Sequence, residues 1–559
     1  MFKGHPKGLF VASLANMGER FGFYTMIAIF TLFIQAKYGF DAAKTSHIYS
    51  YFLVAVYFLP LLGGIIADRL LGYGRTVTLG IVIMFIGYLL MALPTKFGTG
   101  LYSIYIALGI ISLGTGLFKG NLQALVGNLY DNPKYSAKRD SAFNIFYMCI
   151  NIGAMFAPTA AEAVNNFILK ASHYTYDGRI PAMAHKFIEG TLAVPAEYLS
   201  IVQLQDSSVT METLRTFSES YLNQLSRSYH YGFGVACISL IISMAIFLGF
   251  RKHYKAVDVT ESKKIKNNDA TVSVELTPSQ VKQRITALLL VFGVVIFFWM
   301  AFHQNAASMT FFARDYTVSS VGKFTYVFFD LFTLLSIFIA VLGLIFVFQK
   351  KNSATTRLIG GVAFIVFAFI AIFRFSSFHV SNPFTPQMFQ HFNPFFIVVL
   401  TPVFISFFSW LNKKGKEPST PRKIGIGMII TAIGFLVLML ASFGLPSPKS
   451  LGGLGAPDAS RVSTYWLIST YLILTMAELF LSPMGISFVS KVAPPKLKGL
   501  MQGGWLAATA LGNILMGQAA GLWDVLPLWT LWSIFVVCCL LAAMFIFSVL
   551  KRLERATTT

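Results

Sequence analysis

Residues 9–36 read LFVASLANMGERFGFYTMIAIFTLFIQA. A membrane-crossing helix needs about 20 largely apolar residues, and this stretch supplies them. In its interior stand Asn16, Glu19 and Arg20, then Phe23 and Tyr24. Positions 16, 19/20, 23/24 and 27 recur at steps of three and four, so they share one helix face. An ionisable group in the bilayer core costs at least about 2.5 kcal/mol and therefore faces a cavity or a partner. Two readings follow for Glu19 and Arg20: a self-neutralising ion pair, or cavity-lining groups that bind protons or substrate.

The rest of the chain repeats this character. Of its 559 residues 55% are hydrophobic and 12% charged, about half the charged share of an ordinary soluble domain. Apolar stretches fall near 9–36, 48–71, 75–94, 101–129, 140–168, 231–251, 284–312, 324–349, 358–376, 393–412, 424–444, 463–490, 499–522 and 527–550. The expectation is an all-α integral membrane protein of about fourteen spans. The first stretch has no small-residue cleavage site after it and reads as a retained span, not a signal peptide. A polar insertion, 169–230, and a basic linker, 252–283, interrupt the rhythm; the insertion has room for a short helix or two.

A net charge of +21 would suggest nucleic acid in a soluble protein. Here the basic residues fall in short loops, among them Arg69/Arg75, Lys134/Lys138/Arg139 and Lys413/Lys414/Lys416. Lys and Arg favour the cytoplasmic side, which places both termini in the cytoplasm. Cys149, Cys237, Cys538 and Cys539 lie inside apolar stretches without metal-ligand spacing and read as packing residues. No cofactor, metal or nucleic-acid partner is expected. An embedded hydrolase would need a nucleophile with a base or a metal cluster, and neither is visible. A sensor would need more than the short tail 551–559.

Further charges stand inside the spans. Lys119 is isolated in Leu113-Gly-Thr-Gly-Leu-Phe-Lys119-Gly-Asn121, and Glu478 is isolated with Ser482 one turn on. They lie in different halves of the chain. They suit a substrate carrying both signs, and equally a proton-linked salt bridge that opens and closes. His303-Gln304-Asn305 interrupts the apolar run after Trp299. A histidine there is a natural proton site or a neutral, hydrogen-bonded member of the bundle. Asn151, Tyr57 and Trp505 add polar and stacking groups.

Gly64-Ile-Ile-Ala-Asp68-Arg69-Leu-Leu-Gly72 resembles the loop motif of the major facilitator superfamily. Glu19-Arg20-Phe21 with Tyr24 resembles the ExxER-F-x-Y-Y signature of the proton-dependent oligopeptide transporter (POT) family. Phe143 to Ala154, with Asn151 and Gly153, resembles that family's fifth-span signature. Asn393-Pro394-Phe-Phe-Ile, Ala477-Glu478-Leu-Phe-Leu-Ser482-Pro483-Met-Gly485, Lys491-Val-Ala-Pro494 and Gly503-Gly-Trp505 resemble parts of its eighth, tenth and eleventh helices. The matches run in order over nearly the whole chain.

The resemblance implies a major-facilitator fold of two six-helix bundles with the substrate between them, exposed alternately to each side by rocking. It implies a proton-coupled symporter of di- and tripeptides in the plasma (inner) membrane, functional as a monomer. On that analogy Lys119 attracts the peptide carboxylate. Glu478 and Asn151 hold the amino group, with Asn393 and Ser482 beside them, and Tyr24, Tyr57 and Trp505 line side-chain pockets. Glu19, Arg20, Glu478 and His303 would carry the proton coupling, and Asp68 and Arg69 would belong to a gating loop. The expected organisation is a first bundle over 1–251, the linker 252–283, and a second bundle over 284–559. The surplus helix pair within 324–376 should be peripheral.

Four positions depart from the family pattern. Asn16 stands for the first glutamate of the signature, Phe23 for its first tyrosine, Ile27 for an arginine, and His303 for a carboxylate. They keep a second reading open, in which the same fold carries a different small zwitterionic or anionic metabolite.

Overall fold

The computed structural model describes residues 4–136, 138–258, 277–350, 352–452, 454–494 and 497–558. Residues 259–276, most of the expected basic linker, lie outside the described residues. The chain runs as α1 Lys7–Tyr38, α2 Ala42–Ile66, α3 Tyr73–Ala92, α4 Leu101–Leu129 and α5 Arg139–Ala171. Short α6 Ile180–Ile188 and α7 Pro195–Gln203 follow, then α8 Leu214–Gly249. The second half holds α9 Pro278–Phe302, α10 Ser308–Asp315, α11 Leu331–Phe348, α12 Ala354–Ser376, α13 Phe392–Lys413 and α14 Thr420–Ala441. It ends with α15 Tyr465–Val492, α16 Lys498–Ala520, α17 Leu528–Ser548 and α18 Leu550–Thr558. Among the described residues 12 helical segments are long and apolar enough to cross a membrane. The long helices α15 and α16 occupy the two remaining expected spans.

Local chemistry sets the helix ends. Gly39, at φ 65°, closes α1 by donating its N–H to the Gln35 carbonyl, a backbone conformation that glycine adopts without strain. The Asp41 side chain then caps α2 by accepting from Lys44 N at 2.7 Å. Pro278 stands at the start of α9 behind a Thr277–Gln280 capping box.

Two large buried apolar cores and one small cluster result. One is drawn from residues 9–254 with Ala306, Ala307, Met516 and Ala520; the other from 287–556 with Ala42. Lipid tails are as apolar as leucine, so helices associate through close packing over small residues rather than by the hydrophobic effect. A Cβ on Gly153 would lie 2.4 Å from the Met17 carbonyl oxygen, which fixes α5 against α1. A Cβ on Gly63 would lie 2.1 Å from the Gly116 carbonyl oxygen, which fixes α2 against α4.

Three features differ from or add to the sequence reading. The helix of the sixth span starts at Leu214, not near 231, so the insertion ends earlier than 230. Residues 214–230 are rich in polar side chains, which hides the helix, yet Leu214, Phe217, Tyr221, Leu222, Leu225 and Tyr229 bury one face of it. At 36 residues α8 is about 54 Å long and rises beyond an apolar layer of about 30 Å. The seventh span is not one helix: a 3-10 turn, His303–Ala306, and the non-helical Ala307 (φ −123°, ψ −107°) break it. Freed backbone at membrane depth must be satisfied by neighbours. Thr31 Oγ1 donates to the Ala306 carbonyl at 3.2 Å and Tyr471 Oη to the Asn305 carbonyl at 3.0 Å. Finally, Lys37 at the end of α1 is fully buried. Its Nζ donates to Thr95 O and Oγ1 at 2.8 and 2.7 Å and to His230 Nε2 at 3.0 Å.

In the surplus pair, 33% of the apolar window of α11 and 11% of that of α12 are buried. Gly343 and Gly360 bring the two helices together, and Arg374 pairs with Asp330 at 2.7 Å. A two-stranded ribbon, Ser320–Val321 with Asn382–Pro383, ties the feet of the pair. Leu331 and Leu334 pack on Met155 of α5 and Phe395 of α13.

Both termini lie at one end of the bundle. At the opposite, distal end the insertion bridges the halves. His185 Nε2 donates to the Ala36 carbonyl at 2.8 Å, Arg179 reaches Asp458 at 3.4 Å, and Lys186 donates to the Gly452 carbonyl. Arg314 donates to Gln35, Ala42 N to Asp524 at 3.1 Å, and Gln390 Nε2 to the Ala28 carbonyl at 3.4 Å. Among the described residues, the side-chain hydrogen bonds between the halves all lie from the middle of the spans to this end. These contacts hold the distal mouth together around a cavity of about 390 Å³ between the halves.

Candidate functional site

Midway along the spans stand two groups of opposite sign on different helices. Lys119 of α4 is the positive pole. Its Nζ lies 4.0 Å from the ring centroid of Tyr57 on α2, a cation–π contact. Among the described residues no carboxylate lies within 4.0 Å of it. Tyr57 in turn faces His303, ring centroids 5.8 Å apart, and His303 stacks at 4.8 Å on Trp299. His303 Nδ1–H donates to Asn513 Oδ1 at 2.5 Å. That bond fixes the ring's orientation at the break in the seventh span and leaves Nε2 outside it.

Glu478 of α15 is the negative pole and is 8% exposed. Asn393 Nδ2 donates to its Oε2 at 2.8 Å, and to Thr475 Oγ1 at 3.1 Å. Tyr147 Oη, from α5 in the other half, donates to Oε1 at 3.4 Å. These donors are all neutral. A carboxyl held so has room in its electrostatics for a proton or for a substrate ammonium, but not for both at full strength. In this conformation Lys119 and Glu478 do not form the salt bridge that was one of the two readings of their charges.

Glu19 and Arg20 form the self-neutralising pair, with two bonds of 2.5 and 2.6 Å, both side chains buried. The Arg20 guanidinium also covers the Phe23 ring at 4.7 Å. Phe23 stacks on Phe52, 6.3 Å between centroids, so the departure from tyrosine at 23 joins an aromatic ladder in the first half. Ile27 is buried, and Asn16 has a buried amide nitrogen without a partner.

The other expected residues are more scattered. Asn151 donates to the Tyr147 carbonyl of its own helix at 2.9 Å, one turn from the Tyr147 side chain that reaches Glu478. Trp505 is buried against Phe292 and against Gly485, where a Cβ would come within 1.8 Å of the indole. Tyr24 packs edge-on to Phe23 at 5.5 Å. The side chain of Ser482 lies outside the described residues. Asp68 and Arg69 are remote from both poles, at the terminus-bearing end of α2, where Tyr73 Oη donates to Asp68 Oδ1 at 2.6 Å.

Tyr147, Thr475 and Asn513 were not singled out by the sequence. Tyr147 carried a signal, since it lies four residues before Asn151 on the same helix face. Asn513 carried a weaker one, as a lone amide in an apolar span.

The sequence model of the POT family matches residues 74–281 and 375–528. The peptide transporter YePEPT of Yersinia enterocolitica is 29% identical, over an alignment spanning 100% of this chain and 96% of that protein. Among solved structures, a mutant of peptide transporter POT in complex with alafosfalin superposes with a TM-score of 0.65 at 21% identity, covering 100% of this chain and 97% of that one. A POT family transporter in complex with 5-aminolevulinic acid superposes with a TM-score of 0.66 at 19% identity, covering 99% and 98%. The two structures share the fold, and the family match extends over most of the sequence. The chain is a multi-pass membrane transporter, not an enzyme, and it belongs to the POT family.

Proposed function

We propose that this transporter imports di- and tripeptides together with protons by alternating access. The observation that carries the reading is the pair of uncompensated poles, Lys119 in one half and Glu478 in the other. A peptide zwitterion bound between them supplies the missing partner to each and draws the halves together. Lys119 takes the carboxylate; Glu478, with Asn393 and Tyr147, takes the ammonium. Tyr24, Tyr57, Asn151, Ser482 and Trp505 surround the side chains. Glu478 accepts a proton when the site is empty, and Glu19–Arg20 and His303 complete the coupling network. Asp68 and Arg69 act at the gate on the terminus-bearing side. The Lys and Arg distribution supports a plasma-membrane orientation with both termini cytoplasmic, and a monomer contains both poles.

Proteoliposomes under an inward proton gradient should accumulate a labelled dipeptide, a protonophore should abolish accumulation, and single amino acids should compete poorly. Failure of a folded, correctly oriented protein to take up any dipeptide would favour the second reading, a different small zwitterionic or anionic metabolite. The departures from the family pattern at Asn16, Phe23, Ile27 and His303 are the motive for that reading. In the same assay His303→Gln should flatten the dependence of uptake on pH. An unchanged profile would remove His303 from the coupling scheme.

A further inference from the structure

Away from both poles, α5 carries another carboxylate. Glu162 is 9% exposed and lies toward the distal end of its span. Against its carboxylate lie Asn166 on the same helix and the backbone N–H and hydroxyl of Thr385 in the other half, the hydroxyl just outside hydrogen-bond geometry. Thr385 leads into the 3-10 turn Pro386–His391, which packs against α5. On that turn the Gln387 amide is wholly buried with neither polar atom partnered, so the seam is polar.

No cation compensates Glu162 among the described residues. The nearby Arg374 is committed to Asp330, at 2.7 and 2.8 Å, and Tyr326 is neutral. His391 donates to the Phe328 carbonyl. On the helices packed against α5, Lys37 and His230 are held by Thr95, Ser226 and the Met91 carbonyl. Arg20 is held by Glu19.

The same turn carries Gln390, whose bond to the Ala28 carbonyl is one of those that close the distal mouth. Opening that mouth withdraws the turn from α1 and α5 and wets Glu162 from the distal side. Closing it dries the carboxyl again. Drying an unpaired carboxylate costs several kcal/mol, whereas a neutral acid enters at the cost of an ordinary polar group.

We propose that Glu162 is a proton-binding site of the distal mouth: it takes one proton from the distal water, and only then does the seam close over it. Proton and carboxylate combine to a neutral acid, and reopening returns the proton to the same side. The site therefore sets the gate's response to distal pH and is separate from any proton carried with cargo. It rests on the alternating-access part of the function proposed above and not on the identity of the cargo.

The test needs no substrate. Spin labels at the exposed positions Thr191 and Ser450, one on each half at the distal end, placed in a protein without its four native cysteines, report open and closed populations by pulsed dipolar spectroscopy. For one linked proton, the closed-to-open ratio should rise by up to about tenfold per pH unit as pH falls. Glu162→Gln should be closed at every pH, and Glu162→Asp should restore a pH response. A wild-type ratio that ignores pH would overturn the proposal without any variant. So would a Glu162→Gln protein that follows pH as the wild type does. Either result leaves the dipeptide assay to be judged separately.

Discussion

Lys119→Ala should abolish concentrative peptide uptake, and Glu478→Gln should do the same. Among the described residues neither side chain has an ion pair: Lys119 lies over the Tyr57 ring, and Glu478 accepts from neutral donors. Removing one partner of a buried, charge-assisted contact costs roughly 2–5 kcal/mol, or about 30- to 5,000-fold in affinity. The loss should appear in equilibrium binding of a dipeptide as well as in transport, because the missing contact is made to the bound ligand. Asn393→Ala should weaken binding less, since Tyr147 still donates to the carboxylate. Uptake retained by Lys119→Ala in a folded protein would place the substrate elsewhere.

The second large effect concerns packing rather than charge. Gly63→Leu should destabilise the protein by more than about 3 kcal/mol and abolish transport. Its Cβ would meet the Gly116 carbonyl oxygen at 2.1 Å and the Leu117 Cα at 3.1 Å. Both obstacles are backbone, so no side-chain rotation relieves them, and α2 must move off α4. The Gly63 carbonyl also accepts from Asn121 Nδ2 at 3.0 Å, a bond that would be lost with the contact. The same two helices carry Tyr57 and Lys119, so the positive pole would separate too. Gly64→Ala, one residue on and with nothing within 4 Å of its new Cβ, is the control. Thermal unfolding in detergent that shows equal melting for the two variants would contradict this account.

The two predictions draw on different levels of information. Lys119 and Glu478 stand out in the sequence because an isolated charge at the middle of a span is costly unless it faces a cavity or a partner. Gly63 does not: the sequence holds 44 glycines, and which of them separates two backbones depends on the rotation of each helix about its axis. The same distinction explains the insertion. Its length suggested a short helix or two, and α6 and α7 are there. That they strap the distal mouth by way of Arg179 and Lys186 depends on loops near Gly452 and Asp458 in the other half.

By itself, the sequence determined the membrane-spanning class, the order of the spans, the isolated Lys119 and Glu478 in different parts of the chain, and the family. These follow from composition, run length and local motifs, which one helix at a time expresses. Only the tertiary structure decided that Tyr147 reaches Glu478 from the other half and that Asn513 orients His303. It alone decided that Glu19 and Arg20 pair with each other while Lys119 and Glu478 remain apart. The physical reason is that helical periodicity gives each residue a face but not a partner. Partners 210 and 331 residues distant are chosen by how closely the backbones can pack, and so by where glycine lets one helix rest on the next.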